Sequence, residues 1–231
     1  KINNALKDPN GDGNTKDDIS ENTIFIFYSD NGGLFKNTPL KGRKGNLTEG
    51  GIRVPLIFRY PNMIAKNTIT NQAVHCIDFL PTFAELVGLD LARLKKKDGS
   101  KPKYDGASFA KILTGKEKRI SRENLFWHLP GYMDERFSPS TLIQKRIENE
   151  YYKLFYFYET DEFEMYNITK DISEKRNILE NPSSLEMEIA LQMNADMLDW
   201  LKTNSAPTGT WIKNGQKVPY PKANDVQNYR Q

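Results

Sequence analysis

The chain has 231 residues, enough for one large domain or two small ones, and 38% hydrophobic with 11% aromatic residues can bury a sizeable core. Its 33 Lys and Arg nearly balance 30 Asp and Glu, and a formal charge of +3 excludes the broad basic field of a nucleic-acid or membrane-surface binder. The single cysteine, Cys76, excludes a disulfide framework and a cysteine metal cluster, and no apolar run reaches the roughly 18 residues that a membrane span needs.

The start, KINNALKDPNGDG, lacks the apolar centre of a signal peptide. A polar start running straight into a core strand is what the back part of a longer chain would show. Asp8, Asn10, Asp12 and Gly13 match the first half of an EF-hand loop, but its twelfth position, which should be a bidentate Glu, is Ile19. A solvated polar loop is expected there. Ile24 to Tyr28 are apolar on both faces, as in a central strand covered on both sides by helices, and Arg53 to Tyr60 read as a second such strand. Residues 75–89, HCIDFLPTFAELVGL, predict a helix ending at Gly88, with His75 a packed, hydrogen-bonded side chain and Cys76 a small buried hydrophobe. Alternating strand and helix make residues 1–115 α/β.

The texture changes near residue 116. Residues 141–168 carry aromatic strands separated by polar turns, an antiparallel meander. Ser183-x-x-Glu186 after Pro182 is a capping box, and Leu185, Ile189, Met193, Met197 and Leu201 share one face of a helix over 183–203. The Gly, Pro, Asn and Lys rich tail after Pro207 is expected to be an extended strap. Residues 116–231 therefore read as a second subdomain of antiparallel strands, one helix and a tail.

The chemistry concentrates after the first apolar run, in Ser29-Asp30-Asn31-Gly32-Gly33. A carboxylate and an amide oxygen at a strand end are hard donors suited to Ca²⁺ or Mg²⁺, although the same residues also make ordinary turns. Lys41-Gly42-Arg43-Lys44-Gly45 and Glu49-Gly50-Gly51-Ile52-Arg53 follow, with glycines that let backbone and cations approach an anion. A basic run alone reads as a solvated loop. The order of acid and amide, cation in a glycine loop, and Gly-Gly turn into a second apolar strand is more specific.

This stretch, residues 22–61, resembles the C-terminal signature of the type I sulfatases, the arylsulfatase family of the alkaline-phosphatase-like superfamily. The resemblance continues through Ile77-Asp78-Phe79-Leu80-Pro81-Thr82, Tyr104-Asp105-Gly106, Leu113-Thr114-Gly115, Tyr152-Lys153-Leu154 and Glu164-Met165-Tyr166-Asn167. It implies the C-terminal part of an alkaline-phosphatase-like α/β sheet. It implies Asp30 and Asn31 as ligands of a divalent cation, usually calcium, and Lys44 as a contact of the sulfate group or the leaving oxygen. Glu49 and Arg53 would hold the loop together, while Lys41 and Arg43 contribute only a local field. His128, in the stretch LFWHLPGY, would lie on a pocket-rim loop and help bind substrate. A periplasmic or secreted location is also what the family implies.

The family's nucleophile is a formylglycine made from Cys or Ser in a Cys/Ser-x-Pro-x-Arg motif, and Cys76-Ile-Asp-Phe-Leu, Ser121-Arg-Glu and Ser138-Pro-Ser do not match it. The formylglycine and the remaining metal ligands are expected upstream, and the partners are then the N-terminal part of the same enzyme and a sulfated small molecule or carbohydrate. Taken alone, residues 1–231 are expected to be catalytically silent. Two other readings are a phosphodiesterase or phosphonate hydrolase of the same superfamily, which would usually place His where Asn31 stands, and a non-catalytic carbohydrate-binding module.

Overall fold

The computed structural model describes residues 1–132, 138–212 and 214–228. In chain order its elements are α1 (Ile2–Lys7), β1 (Phe25–Tyr28), α2 (Glu49–Ile52), β2 (Leu56–Arg59), α3 (Phe79–Leu86), α4 (Ala110–Leu113), β3 (Asn124–Leu129), β4 (Ser140–Ile147), β5 (Glu150–Phe157), β6 (Glu162–Asn167), α5 (Ser184–Thr203) and α6 (Asp225–Asn228). The fold is mixed α/β. It divides into two units, Lys1–Ser29 with Pro55–Arg122, and Asp30–Val54 with Glu123–Gln231. Segment 30–54, which the sequence reading grouped with the first half, thus belongs to the second unit, where Leu47 and Ile52 find an apolar surface.

In the first unit β1 and β2 pair antiparallel, with Phe25 opposite Arg59 and Tyr28 opposite Leu56. The alternation of a strand sends Ile26 and Tyr28 to one face and Phe25 and Phe27 to the other. The first face is covered: Tyr28 meets Phe79 edge-on at 5.0 Å, and Phe58, across from Ile26, meets Phe109 at 5.4 Å and Phe79 at 6.0 Å. The second is not, since Phe27 and its partner Ile57 remain 52% and 56% exposed. The expected cover on both faces is therefore found on one. An apolar run signals what a strand can bury, not what is present to bury it. Around α3, Gly88 in the left-handed region (φ 74°) ends the helix as expected, and the Leu89 amide reaches back to the Ala84 carbonyl at 2.7 Å. Asp78, fully buried, accepts from the amides of His75 (2.8 Å) and Ala107 (2.9 Å) and is gripped by both terminal nitrogens of Arg122. Cys76, read as buried, is exposed. The Asp8 carboxylate turns inward, taking the amides of Gly11 (2.9 Å) and Gly13 (3.0 Å), so the polar loop is closed by its own backbone.

In the second unit β3, β4, β5 and β6 form an antiparallel meander in sequence order. The segment LFWHL is a strand rather than the rim loop expected, because its aromatic residues pair along β4, Trp127 opposite Leu142. Ile143, Leu154 and Met165 face α5, meeting Ile189, Ala190, Met193, Met197 and Leu201 in one buried cluster. The helical face is the predicted one except for Leu185, which is exposed. Leu142, Phe155 and Tyr166 point the other way, against Leu47 and Ile52 of segment 30–54. The tail, expected to be extended, includes the short helix α6 and is held to the second unit: Asn194, buried on α5, donates to the carbonyls of Lys222 and Ala223, and Tyr220 donates to Ala206 at 2.5 Å.

The capping box of α5 is complete, with the Glu186 amide on Ser183 Oγ at 3.2 Å and the Ser183 amide on Glu186 Oε2 at 2.8 Å. Ser183→Ala is expected to cost about 1 kcal/mol, read as a lower denaturant midpoint at unchanged slope. The Ser183 amide and hydroxyl hold the Glu186 carboxyl below the usual Glu range. The part of the cap that uses the Glu186 carboxylate, including the Ser183 hydroxyl bond, is therefore full above the ordinary carboxylate pKa and is lost as pH falls through the depressed value, so the gap between wild type and variant should narrow in acid without closing.

Candidate active site

Residues 30–53 fold mostly through their own backbone. The Gly32 amide donates to the Gly51 carbonyl at 2.9 Å, the Lys44 amide to Gly33 at 2.9 Å and the Gly50 amide to Lys41 at 2.7 Å. Asn37 Nδ2 donates to the Gly50 carbonyl at 2.6 Å, and the Thr48 hydroxyl to the Lys41 carbonyl at 2.8 Å. Such close approach leaves no space for side chains: a Cβ at Gly32 would lie 1.9 Å from the Gly50 oxygen, and one at Gly51 2.0 Å from the Asn46 oxygen. Gly32, Gly50 and Gly51 are thus demanded by packing of backbone on backbone, while Gly33 lies against the Asn37 side chain.

This loop brings three of the four predicted site residues into one structure. Asp30 is exposed and Asn31 half-buried, with the Asn31 amide on Asp30 Oδ1 at 2.9 Å. Lys44 is exposed, and its backbone is pinned to Gly33, beside the Asp30-Asn31-Gly32 run. A carboxylate with a second oxygen to offer, next to an amide, has the donor chemistry of a hard divalent cation. Among the described residues no group of three or more His, Cys, Asp or Glu side chains gathers to hold a metal. Lys41 is drawn off by Glu164 Oε2 at 3.3 Å and the Tyr166 hydroxyl at 2.9 Å.

Beneath the loop lies a feature the sequence reading missed. Strand alternation places Lys153 on the same face of β5 as Phe155, toward segment 30–54. Its side chain is wholly buried, with Nζ 2.8 Å from Glu49 Oε1 and 3.0 Å from Glu174 Oε1, and donates to the Leu47 carbonyl at 3.3 Å. Glu174 Oε2 accepts the Glu49 amide at 2.7 Å, and Arg53 pairs with Glu49 Oε2 at 2.8 Å. Burial alone would raise the Glu49 carboxyl, but Lys153 and Arg53 outweigh it and hold it below the ordinary value. Glu174, without an arginine, is pushed upward by burial that Lys153 only partly offsets. The available signal was a lone Lys inside the aromatic run YYKLFYFY.

His128 is placed elsewhere. Its ring meets Tyr158 and the α5 residue Trp200, on the face of the sheet opposite the loop. Nε2 lies 2.6 Å from the Pro207 carbonyl, which can only accept, so Nε2 carries the hydrogen and Nδ1 accepts from the Thr141 hydroxyl at 2.8 Å. Burial lowers its pKa, against a smaller rise from the Pro207 bond, which keeps the ring neutral. The structure does not bring His128 to Asp30, Asn31 and Lys44.

The family model described as N-sulphoglucosamine sulphohydrolase, C-terminal, matches residues 43–202. A sulfatase of Formosa agariphila is 50% identical over 236 residues, covering 99% of this chain and 42% of its own length. An N-acetylglucosamine-6-O-sulfatase of Bacteroides thetaiotaomicron is 30% identical over 161 residues, 68% of this chain and 26% of its own. The fold is similar to a 2-O GAG sulfatase (TM-score 0.63, 19% identity, 81% of this chain and 38% of that one). It is also similar to a protein solved in complex with its substrate D-glucosamine-2-N,6-O-disulfate (TM-score 0.59, 23% identity, 80% and 35%). The chain therefore spans less than half the length of these relatives.

Gly32→Ala is expected to open the loop by breaking its contact with Gly50 and Gly51, at a cost of about 1–3 kcal/mol. Limited proteolysis should then cut within 30–53 while the meander stays intact.

Proposed function

Because the chain belongs to the sulfatase family and matches the C-terminal region of its members, we propose that it supplies the cation-binding and sulfate-binding side of a sulfuric ester hydrolase active site. The observation that carries this reading is the single glycine-packed loop holding Asp30, Asn31 and Lys44 together. Asp30 and Asn31 give oxygens to a Ca²⁺, or a Mg²⁺, whose charge would draw electron density from the sulfate group. Lys44 places a fixed positive charge at the anionic ester, where it stabilises negative charge building on the leaving oxygen as the S–O bond breaks.

The nucleophile of this chemistry, a formylglycine, and the rest of the metal shell belong to the remainder of a longer protein. Two observations support that division. The chain spans 42% of the Formosa sulfatase, and the Phe27 and Ile57 face of the β1–β2 ladder is an apolar surface of the kind that another part of a protein covers. A sulfated carbohydrate is the substrate class most in keeping with the disulfated glucosamine bound by the similar solved structure.

In the complete enzyme, Asn31→Ala and Lys44→Ala are each expected to lower turnover of an aryl sulfate by about a hundredfold or more, with the fold retained. Unchanged turnover in both variants would end this assignment.

A further inference from the structure

Stability does not account for the Lys153 cluster. Taking an ammonium and two carboxylates out of water costs several kcal/mol per ion, and well-packed apolar side chains of similar volume are often no less stable. The buried core of the opposite face of the same sheet, against α5, is built in that apolar way, with the Lys145–Asp196 ion pair left part-exposed. What an ion cluster provides and apolar contact does not is direction. Leu47 and Ile52 can slide on Phe155 and Tyr166, whereas the Lys153 ammonium fixes the Leu47 carbonyl and the Glu49 carboxylate at once, and Glu174 fixes the Glu49 amide.

From Glu49 the constraint continues without a gap. The next two residues, Gly50 and Gly51, offer the carbonyls that hold Asn37 and the Gly32 amide, and Gly32 follows Asn31 directly. The Gly50 amide also holds the Lys41 carbonyl, at the base of the turn that carries Lys44. We infer that Lys153 and Glu174 are positioning residues for the loop that presents Asp30, Asn31 and Lys44, acting through Glu49 and the Gly50-Gly51 backbone. The consequence for catalysis rests on the function proposed above for that loop; the mechanical claim does not.

The double variant Lys153→Met/Glu174→Gln separates the two. It leaves no lone buried charge, since Glu49 keeps Arg53 and the side-chain carbonyl introduced at position 174 can still accept the Glu49 amide. Hydrogen exchange followed by mass spectrometry on the full chain should show peptides across 30–53 exchanging about tenfold faster or more, with β4, β5 and β6 protected as before. Unchanged loop exchange, or equal acceleration across the sheet, would overturn the inference. Glu174→Gln alone should give the same pattern at smaller amplitude, and it carries the test should the double variant not fold. In the complete enzyme, the calcium concentration for half-maximal turnover should rise about tenfold at little changed melting temperature. A shifted exchange pattern with an unaltered calcium requirement would refute the metal reading of the loop while leaving its mechanical support standing.

Discussion

A lysine with no exposed surface, held between two buried glutamates, is the contact on which the second unit depends. It decides how a loop with almost no secondary structure of its own becomes fixed on a β-sheet. Segment 30–53 has few large apolar side chains to bury, and much of its contact area is peptide backbone and glycine. Hydrophobic association cannot place such a segment, because that attraction follows area and has no preferred direction. Charged hydrogen bonds can, since they are short, angular and stronger than neutral ones where water is excluded. The two faces of the sheet show the contrast. Against α5 the buried cluster is aliphatic and aromatic and the Lys145–Asp196 ion pair stays part-exposed, whereas against the loop the apolar residues frame a fully buried ion cluster.

The same contact sorts the charges of the loop. Arg53 and Lys153 are occupied by Glu49, with Glu174 completing the balance beneath, and Lys41 is held by Glu164 and Tyr166. Lys44 stays exposed, its backbone amide tied to the Gly33 carbonyl. A loop whose cations were all free would collect anions without discrimination. Committing Lys41 and Arg53 to carboxylates narrows where the other cations of the loop, Lys44 among them, present their charge.

What was legible in the sequence is what short-range physics encodes. The Ser183 cap, the Gly88 stop, the apolar stripe of α5 and the strands of the meander each declare themselves within a few residues. Asp30, Asn31 and Lys44 could be singled out as candidates because they stand close together in a patterned stretch. The antiparallel pairing of β1 with β2 was not, since an apolar run does not name its partner or what covers it. Lys153 and Glu174 were quoted or passed over without a role, because Glu49 and Glu174 meet only after the chain has closed on itself, and nothing local marks the pairing. His128 went astray for another reason. Its neighbours Leu125, Phe126 and Trp127 carry β-forming character that a loop assignment overlooked, and a strand sends alternate residues to opposite faces.

The acid and amide pair makes sense of the ion cluster below it. On the metal reading proposed for this loop, Asp30, one oxygen of which accepts the Asn31 amide, and Asn31 would be two neighbouring donors for a cation that prefers six to eight ligands. A complete cage can enforce its own geometry, because each ligand is restrained by the others through the ion. Two neighbouring donors cannot do so, and whatever order they have must be present before the ion arrives. Preorganisation of that kind has to come from the protein matrix, and the route from Lys153 through Glu49, Gly51 and Gly32 is short, buried at its base and made of fixed hydrogen bonds. On that reading, an incomplete set of ligands on an exposed loop and a costly ion cluster between the loop and the sheet are two sides of one requirement, that donor atoms few in number be held still.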